Sequence, residues 1–324
     1  MSLKTLVFSL LLLQALSQVH AQHEKVEYRP YEAPRGYRNE TFLKAAHALG
    51  FLKLVDREPS VPAQVEVWKD RVYKQVDTTS LMLDVYSLKE LEKPAPVLIF
   101  IHGGTWRSGK RSDYLPYLID FALKGYVTAT VSYSLSGVAK FPSAVEDVKC
   151  AIHWIREHAE EFGIDPEKVA LIGGSAGGHL AMMAAYSGSG EFTRECTPGE
   201  HSSQVRAVVN LYGPSDLTTE IAQNHSGVIQ FLGKEYREAP GLYTLASPHT
   251  HISKDDPPTL IFHGTIDDVV PVSQSDSLQQ WLTGAGVPNE YHRLKGWPHT
   301  MDLSTKVNAY CQYYMDVFFK RWLF

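Results

Sequence analysis

Three cysteines in 324 residues are too few for a disulfide scaffold. Their number is odd, so at least one is free or paired with another chain. Cys150 lies in a segment of strong helical periodicity and reads as a small core residue. Cys196 lies in a polar loop and Cys311 in a helical stretch, so a Cys196 to Cys311 bridge is compatible with the sequence, although spacing does not establish it. Basic residues are in deficit too: 31 Lys and Arg against 36 Asp and Glu give a net charge of −5, which argues against nucleic acid as a partner. Long apolar runs are absent. The one near the N-terminus, residues 6–13, is broken by Ser9 and falls far short of the roughly 20 residues that span a bilayer, so stable membrane insertion is not expected. Fourteen histidines occur with no H-E-x-x-H motif, and the one H-x-x-H pair, His20 and His23, straddles the end of the N-terminal segment, so neither a metal nor another cofactor is expected.

What is present begins with a leader. Lys4, the apolar run and the Val19-His20-Ala21 stretch have the layout of a signal peptide over residues 1–21, with cleavage after Ala21 and a secreted or periplasmic product. No cysteine near that point offers a lipid anchor. Residues 22–62 form an N-terminal extension in which Pro30, Pro34, Pro59 and Pro62 interrupt a short helix expected over 40–54. Asn39 and Asn224 open N-x-S/T sequons, which matter only in a source that glycosylates. Hydrophobic residues at 44% are enough to build one substantial core over residues 63–324.

Within that span the pattern changes from alternating to continuous. Residues 64–76 and 81–86 alternate apolar and polar side chains, as a half-exposed antiparallel hairpin does. Residues 97–101, 126–131, 169–172, 207–211 and 259–262 are short apolar runs separated by helical segments, the signature of a parallel sheet covered on both faces. Val145, Val148, Ile152, Ile155, Ala159 and Phe162 recur at three- and four-residue intervals, giving a helix with one apolar stripe that ends at Gly163. Val307, Tyr310, Tyr314, Val317 and Phe318 mark a C-terminal helix. The fold class is therefore α/β, with a mostly parallel central sheet, an N-terminal antiparallel hairpin and helices on both faces. Residues 213–257, between two core strands, would form a small cap containing Phe231, Tyr236 and Tyr243.

The chemistry sits where strands end. Gly173-Gly174-Ser175-Ala176-Gly177 follows one strand and precedes a helix, the context of a nucleophile elbow: serine at the apex of a sharp turn, small residues on either side. His102-Gly103-Gly104-Thr105-Trp106 starts where another strand stops, and its glycines can turn backbone N–H groups toward an oxyanion together with that of Ala176. His102 reads as a hydrogen-bonding residue shaping this loop. Trp106 either walls a substrate pocket or simply packs. Asp267 follows the strand at 259–262, and His299 follows an extended stretch near 291–294. The order Ser175, Asp267, His299 is the one expected of a serine, acid and histidine triad on such a sheet. Asp268 and Asp216 are the other acids in strand-end segments. His179, four residues after Ser175, reads as a packed residue; Lys110 and Arg111 read as solvated.

These segments resemble the α/β-hydrolase fold esterases of the hormone-sensitive-lipase-like and BD-FAE (acetyl/feruloyl esterase) group: HGGTW at 102–106, GGSAGG at 173–178, HGTIDDVVP at 263–271 and PHT around His299. The likeness covers roughly residues 65–320. It implies a serine carboxylesterase working through an acyl-enzyme, with Ser175, Asp267 and His299 as the triad and Gly103, Gly104 and Ala176 as oxyanion donors. Its spacing selects Asp267 over Asp268 and Asp216. One departure is Gly174, where many hormone-sensitive-lipase relatives place an acid. With export, the resemblance points to acetyl or hydroxycinnamoyl esters, as small molecules or on plant polysaccharide. An arylformamidase shares the HGGxW loop, but its usual role is intracellular. An exopeptidase would need a propeller for which the chain has no room. An esterase-like binding module would be expected to have lost its serine.

Overall fold

Each contiguous apolar run becomes a strand whose two faces are covered. A computed structural model of the chain describes residues 31–76, 78–193, 196 and 202–324. The expected leader and residues 22–30 of the extension lie outside the described residues. Among these residues the strands are β1 (Val65–Val76), β2 (Thr79–Leu88), β3 (Ala95–Ile101), β4 (Val127–Val131), β5 (Ile164–Gly174), β6 (Ala207–Leu211), β7 (Thr259–Gly264) and β8 (Asn289–Leu294). They form one eight-stranded sheet in the order β1-β2-β4-β3-β5-β6-β7-β8. The β1/β2 and β2/β4 pairs are antiparallel and the rest parallel, as the switch from alternating to continuous hydrophobicity requires. Every residue of β3, β4, β6 and β7 is buried, whereas β1 and β8, at the edges, are mostly half-buried or exposed.

The helices are α1 (Glu40–Ala48), α2 (Leu115–Leu123), α3 (Ser143–Glu157), α4 (Ala176–Tyr186), α5 (Glu220–Asn224), α6 (Ser226–Leu232), α7 (Pro240–Leu245), α8 (Ser273–Ala285) and α9 (Thr305–Trp322). One apolar layer joins α3, α4 and α8 to the sheet and the other joins α2 and α9. α1 is shorter than expected: Asn39 caps its start by accepting the Phe42 N–H at 3.2 Å, and the chain leaves it through Gly50 at φ 76°. The extension then docks on the start of α9. The Val55 N–H donates to the Leu303 carbonyl at 2.9 Å, and the Thr305 N–H to the Lys53 carbonyl at 3.0 Å.

Two expectations are corrected. Cys150 is buried on α3 as expected, yet it is bonded to Cys196, with Cα atoms 5.0 Å apart, while Cys311 is a buried free thiol. The sheet decides the pairing, because Cys150 and Cys196 belong to one apolar layer and Cys311 to the other. The Cys196 loop is held further by Lys149, whose buried ammonium donates to the carbonyls of Ser187, Gly188 and Glu191 at 3.3, 2.9 and 2.7 Å. The second correction concerns Arg111. It is half-buried and ion-paired with Asp84 and Asp70, because the 3-10 turn Arg111–Tyr114 brings it against the β1/β2 hairpin. Lys110 is exposed.

Candidate active site

β5 delivers Ser175 to the carboxyl edge of the sheet. Ser175 lies between β5 and α4 with φ 55° and ψ −125°, a conformation costing about 1–3 kcal/mol that persists only where its surroundings over-determine it. Here its N–H donates to the Leu211 carbonyl at 2.9 Å and its carbonyl accepts the His179 N–H at 3.0 Å. Gly177 is required by contact: a Cβ there would stand 2.0 Å from the Ile101 carbonyl oxygen. The serine is thus locked on a turn that projects its hydroxyl beyond the strand ends.

The hydroxyl meets His299. Ser175 Oγ lies 3.0 Å from His299 Nε2, and His299 Nδ1 lies 2.6 Å from Asp267 Oδ2. A carboxylate only accepts, so Nδ1 carries the proton and Nε2 is left to accept from the serine. The Asp267 side chain is fully buried. Burial alone would raise its pKa, but hydrogen bonds from His263 and His299, the nearness of His299 and the Val270 N–H outweigh it and hold the carboxyl well below the usual range. Its other oxygen accepts the Val269 and Val270 N–H groups, both at 2.9 Å. His263, which the sequence reading passed over, donates Nε2–H to Asp267 at 3.1 Å and to the Val270 carbonyl at 2.9 Å, while its Nδ1 accepts from Ser275 at 2.7 Å. Its place at the head of HGTIDD, four residues before Asp267, was the available signal.

The alternative acids are elsewhere engaged. Asp216 accepts the Thr218 N–H at 2.7 Å and hydroxyl at 2.6 Å, and Asp268 is exposed. His102 donates Nδ1–H to the Gly103 carbonyl at 2.9 Å and stacks on Tyr133; burial lowers its pKa, so it stays neutral and shapes the loop. His179 is fully buried, donates Nε2–H to the Ala246 carbonyl at 2.8 Å and is pushed down to about 4 by burial.

The HGGTW loop lies directly beside the serine. A Cβ on Gly103 would stand 3.4 Å from Ser175 Cβ, and Gly104 has φ 102°, a region that disfavours any side chain. Ala176 is the first residue of α4, where amides have no helical carbonyl to bind. Trp106 both packs and walls: it is 3% exposed, stacks on Phe231 at 4.6 Å, and borders the cavity next to Ser175.

Residues 83–282 match the BD-FAE family model. The chain belongs to the BD-FAE family. Esterase LipQ of Mycobacterium tuberculosis is 34% identical over 240 residues, covering 70% of this chain and 56% of LipQ. The chain therefore spans little more than half the length of such curated relatives. Among solved structures, a truncated carbohydrate esterase from gut microbiota superposes with TM-score 0.68 at 26% identity, covering 81% of this chain and 98% of that one. An esterase of Thermogutta terrifontis with propionate bound gives TM-score 0.67 at 29% identity, covering 82% and 97%.

In this BD-FAE chain Ser175 stands between two cavities. The first, of about 50 Å³, is apolar: Trp106, Leu217, Ile221, Ala222 and Val228 line it, largely from the segment between β6 and β7. The aromatic residues expected there do not reach it. Phe231 backs Trp106, and Tyr236 packs edge-on against the buried Tyr243. The second, of about 410 Å³, is bordered by Gly103, Gly104 and His299 and by polar groups of Arg57, Asp113, Tyr114, Asp302 and Asn308. Arg57 comes from the N-terminal extension and pairs with Asp113 at 2.8 Å. Among the described residues no helix is long and apolar enough to cross a membrane.

Proposed function

We propose that this chain hydrolyses short-chain carboxylic esters through an acyl-enzyme on Ser175. The observation that carries the reading is the unbroken chain from Asp267 through His299 to the strained Ser175. His299 takes the serine proton as Oγ attacks the ester carbonyl, and Asp267 keeps the tautomer and stabilises the imidazolium. The tetrahedral oxyanion is met by the N–H groups of Gly103, Gly104 and Ala176, each typically worth about 2.7–4 kcal/mol. His299 then protonates the departing alkoxide, and water deacylates the serine by the same steps.

His299 borders the polar cavity alone, so the alcohol leaves there and the acyl group lies in the apolar one. A cavity of about 50 Å³ favours acetyl over hydroxycinnamoyl groups. The wide polar cavity suits a hydroxyl-bearing alcohol, including acetylated plant polysaccharide. Secretion or periplasmic export is supported by the leader sequence and by the Cys150 to Cys196 bridge, since disulfides persist in oxidising compartments.

The test is a substrate panel of acetyl, butyryl, octanoyl and feruloyl esters with N-formylkynurenine. Fastest turnover of acetyl esters is expected. Preference for N-formylkynurenine would move the assignment to an arylformamidase, and preference for feruloyl esters would reverse the acyl assignment.

A further inference from the structure

Near His299 lies a second carboxyl that the mechanism above does not use. Asp302 is three residues further along the chain, 4% exposed, and borders the same cavity as Ser175 and His299. Its Oδ1 accepts the Tyr212 hydroxyl at 2.5 Å. Tyr212 in turn lays its ring against the His299 imidazole, with centroids 4.7 Å apart at 62°. Tyr212 is held as firmly as the serine: its backbone takes φ 46°, and its N–H donates to the Phe262 carbonyl at 2.8 Å. Gly174 makes the arrangement possible, because a Cβ there would stand 2.2 Å from the Tyr114 hydroxyl and 3.1 Å from that of Tyr212. The residue before the nucleophile thus gives up its side chain to admit two phenols.

We propose that Tyr212 and Asp302 form a positioning pair for His299, in which Asp302 anchors Tyr212, Tyr212 orients the imidazole, and the carboxyl supports the imidazolium formed during acyl transfer. This rests on the triad reading given above. The surroundings bear on the charge. Facing Asp302 are Tyr212 from the end of β6, Tyr114 from the 3-10 turn, Tyr117 from α2, Cys311 and Asn308 from α9, and His299. Burial raises the pKa of all three phenols and of the Cys311 thiol, so these groups stay neutral. Burial also raises Asp302, opposed by the Tyr212 hydrogen bond, its own N–H and His299. Facing His299 are Asp267, Ser175 and Tyr212, with Arg57 and Asp113 on the polar cavity wall.

The test measures the rate at which a fluorophosphonate probe labels Ser175 across pH, in the wild type and in Tyr212→Phe and Asp302→Asn. Labelling needs His299 as base but no ester turnover. A wild type that labels at Ser175 yet hydrolyses no ester would refute the proposed substrate class and leave this test intact, whereas absence of labelling would refute the site itself. Tyr212→Phe loses one hydrogen bond and should slow labelling by about 2- to 10-fold. Asp302→Asn should slow it by about tenfold or more. Asp302→Asn removes the carboxylate charge, and Tyr212→Phe removes the hydrogen bond that lowers the Asp302 pKa, so the carboxyl keeps its proton more readily. Either way less negative charge lies beside the imidazole, and the acid limb of the rate profile moves to lower pH, by about half a unit or more. A purely structural role would lower the rate equally at every pH. Folded variants whose acid limb stays in place would overturn the proposal; if Asp302→Asn does not fold, Tyr212→Phe decides it alone.

Discussion

The two cavities flanking Ser175 are built from different parts of the chain, and the contrast explains a division of labour. The apolar one is roofed by residues 217–228, between β6 and β7, and closed behind by the Trp106 and Phe231 stack. It is narrow and mostly apolar, with His225, Thr219 and Gln274 among its lining residues, so on the proposed reading it would discriminate chiefly by volume. The polar one is walled by Gly103 and Gly104, His299, the 3-10 turn before α2 and the N-terminal extension. It is about eight times larger and carries Arg57, Asp113, His299 and Asp302, so on the proposed reading it would discriminate by hydrogen bonding and charge. On the proposed reading, a single serine bordering both would let acyl and alcohol specificity vary independently.

The contrast can be broken at its centre first. Ser175→Ala should reduce ester turnover by about 10⁶-fold with the thermal midpoint kept, read by p-nitrophenyl acetate hydrolysis. Asp267→Asn should cost about 10⁴-fold, because the imidazole loses its correct tautomer, whereas Asp216→Asn should stay near wild type. The reverse ranking would move the acid to the other strand.

The walls come next. Val228→Ala should widen the apolar cavity and raise the butyryl-to-acetyl ratio of kcat/KM by roughly tenfold, since one or two methylenes in an apolar pocket are worth that much. Arg57→Ala should leave that ratio alone and change KM for bulky alcohols. If both variants shift the acyl ratio equally, the two cavities are not separate subsites. Removing Cys150 and Cys196 together should cost about 2–4 kcal/mol of stability, measured by denaturant unfolding.

A further effect lies beneath the apolar wall. His179 touches Trp106 edge-on and is held neutral down to about 4. The unfolded chain takes up that proton near 6.5, so stability should fall as pH drops from about 6.5 to 4 and level off below. His179→Gln should flatten the slope, and an unchanged slope would assign it to other groups.

Legibility in the sequence followed the same divide. HGGTW, GGSAGG, Asp267 and His299 are short local patterns at strand ends, so the residues that meet at Ser175 could be named in advance. Burial on both faces made the parallel strands visible as unbroken apolar runs. The apolar pocket was not legible, because Ile221, Ala222 and Val228 face it only through the path of the segment between β6 and β7, whose aromatic residues Phe231, Tyr236 and Tyr243 do not line it. Cys150 and Cys196 are 46 residues apart, and only the arrangement of layers around the sheet decides their pairing. Arg111 reads as solvated until the hairpin supplies Asp70 and Asp84. Asp302 and Tyr212 carried a weak signal: one lies three residues after His299, the other at the end of β6.

The account stands on Ser175 becoming acylated. Acid-quenching the protein during turnover of p-nitrophenyl acetate and mapping the product by peptide mass spectrometry tests this directly. One acetyl group on the peptide carrying Ser175, absent in Ser175→Ala, is the predicted result. Turnover with Ser175 unmodified, or acetyl found on another residue at the same rate, would contradict it.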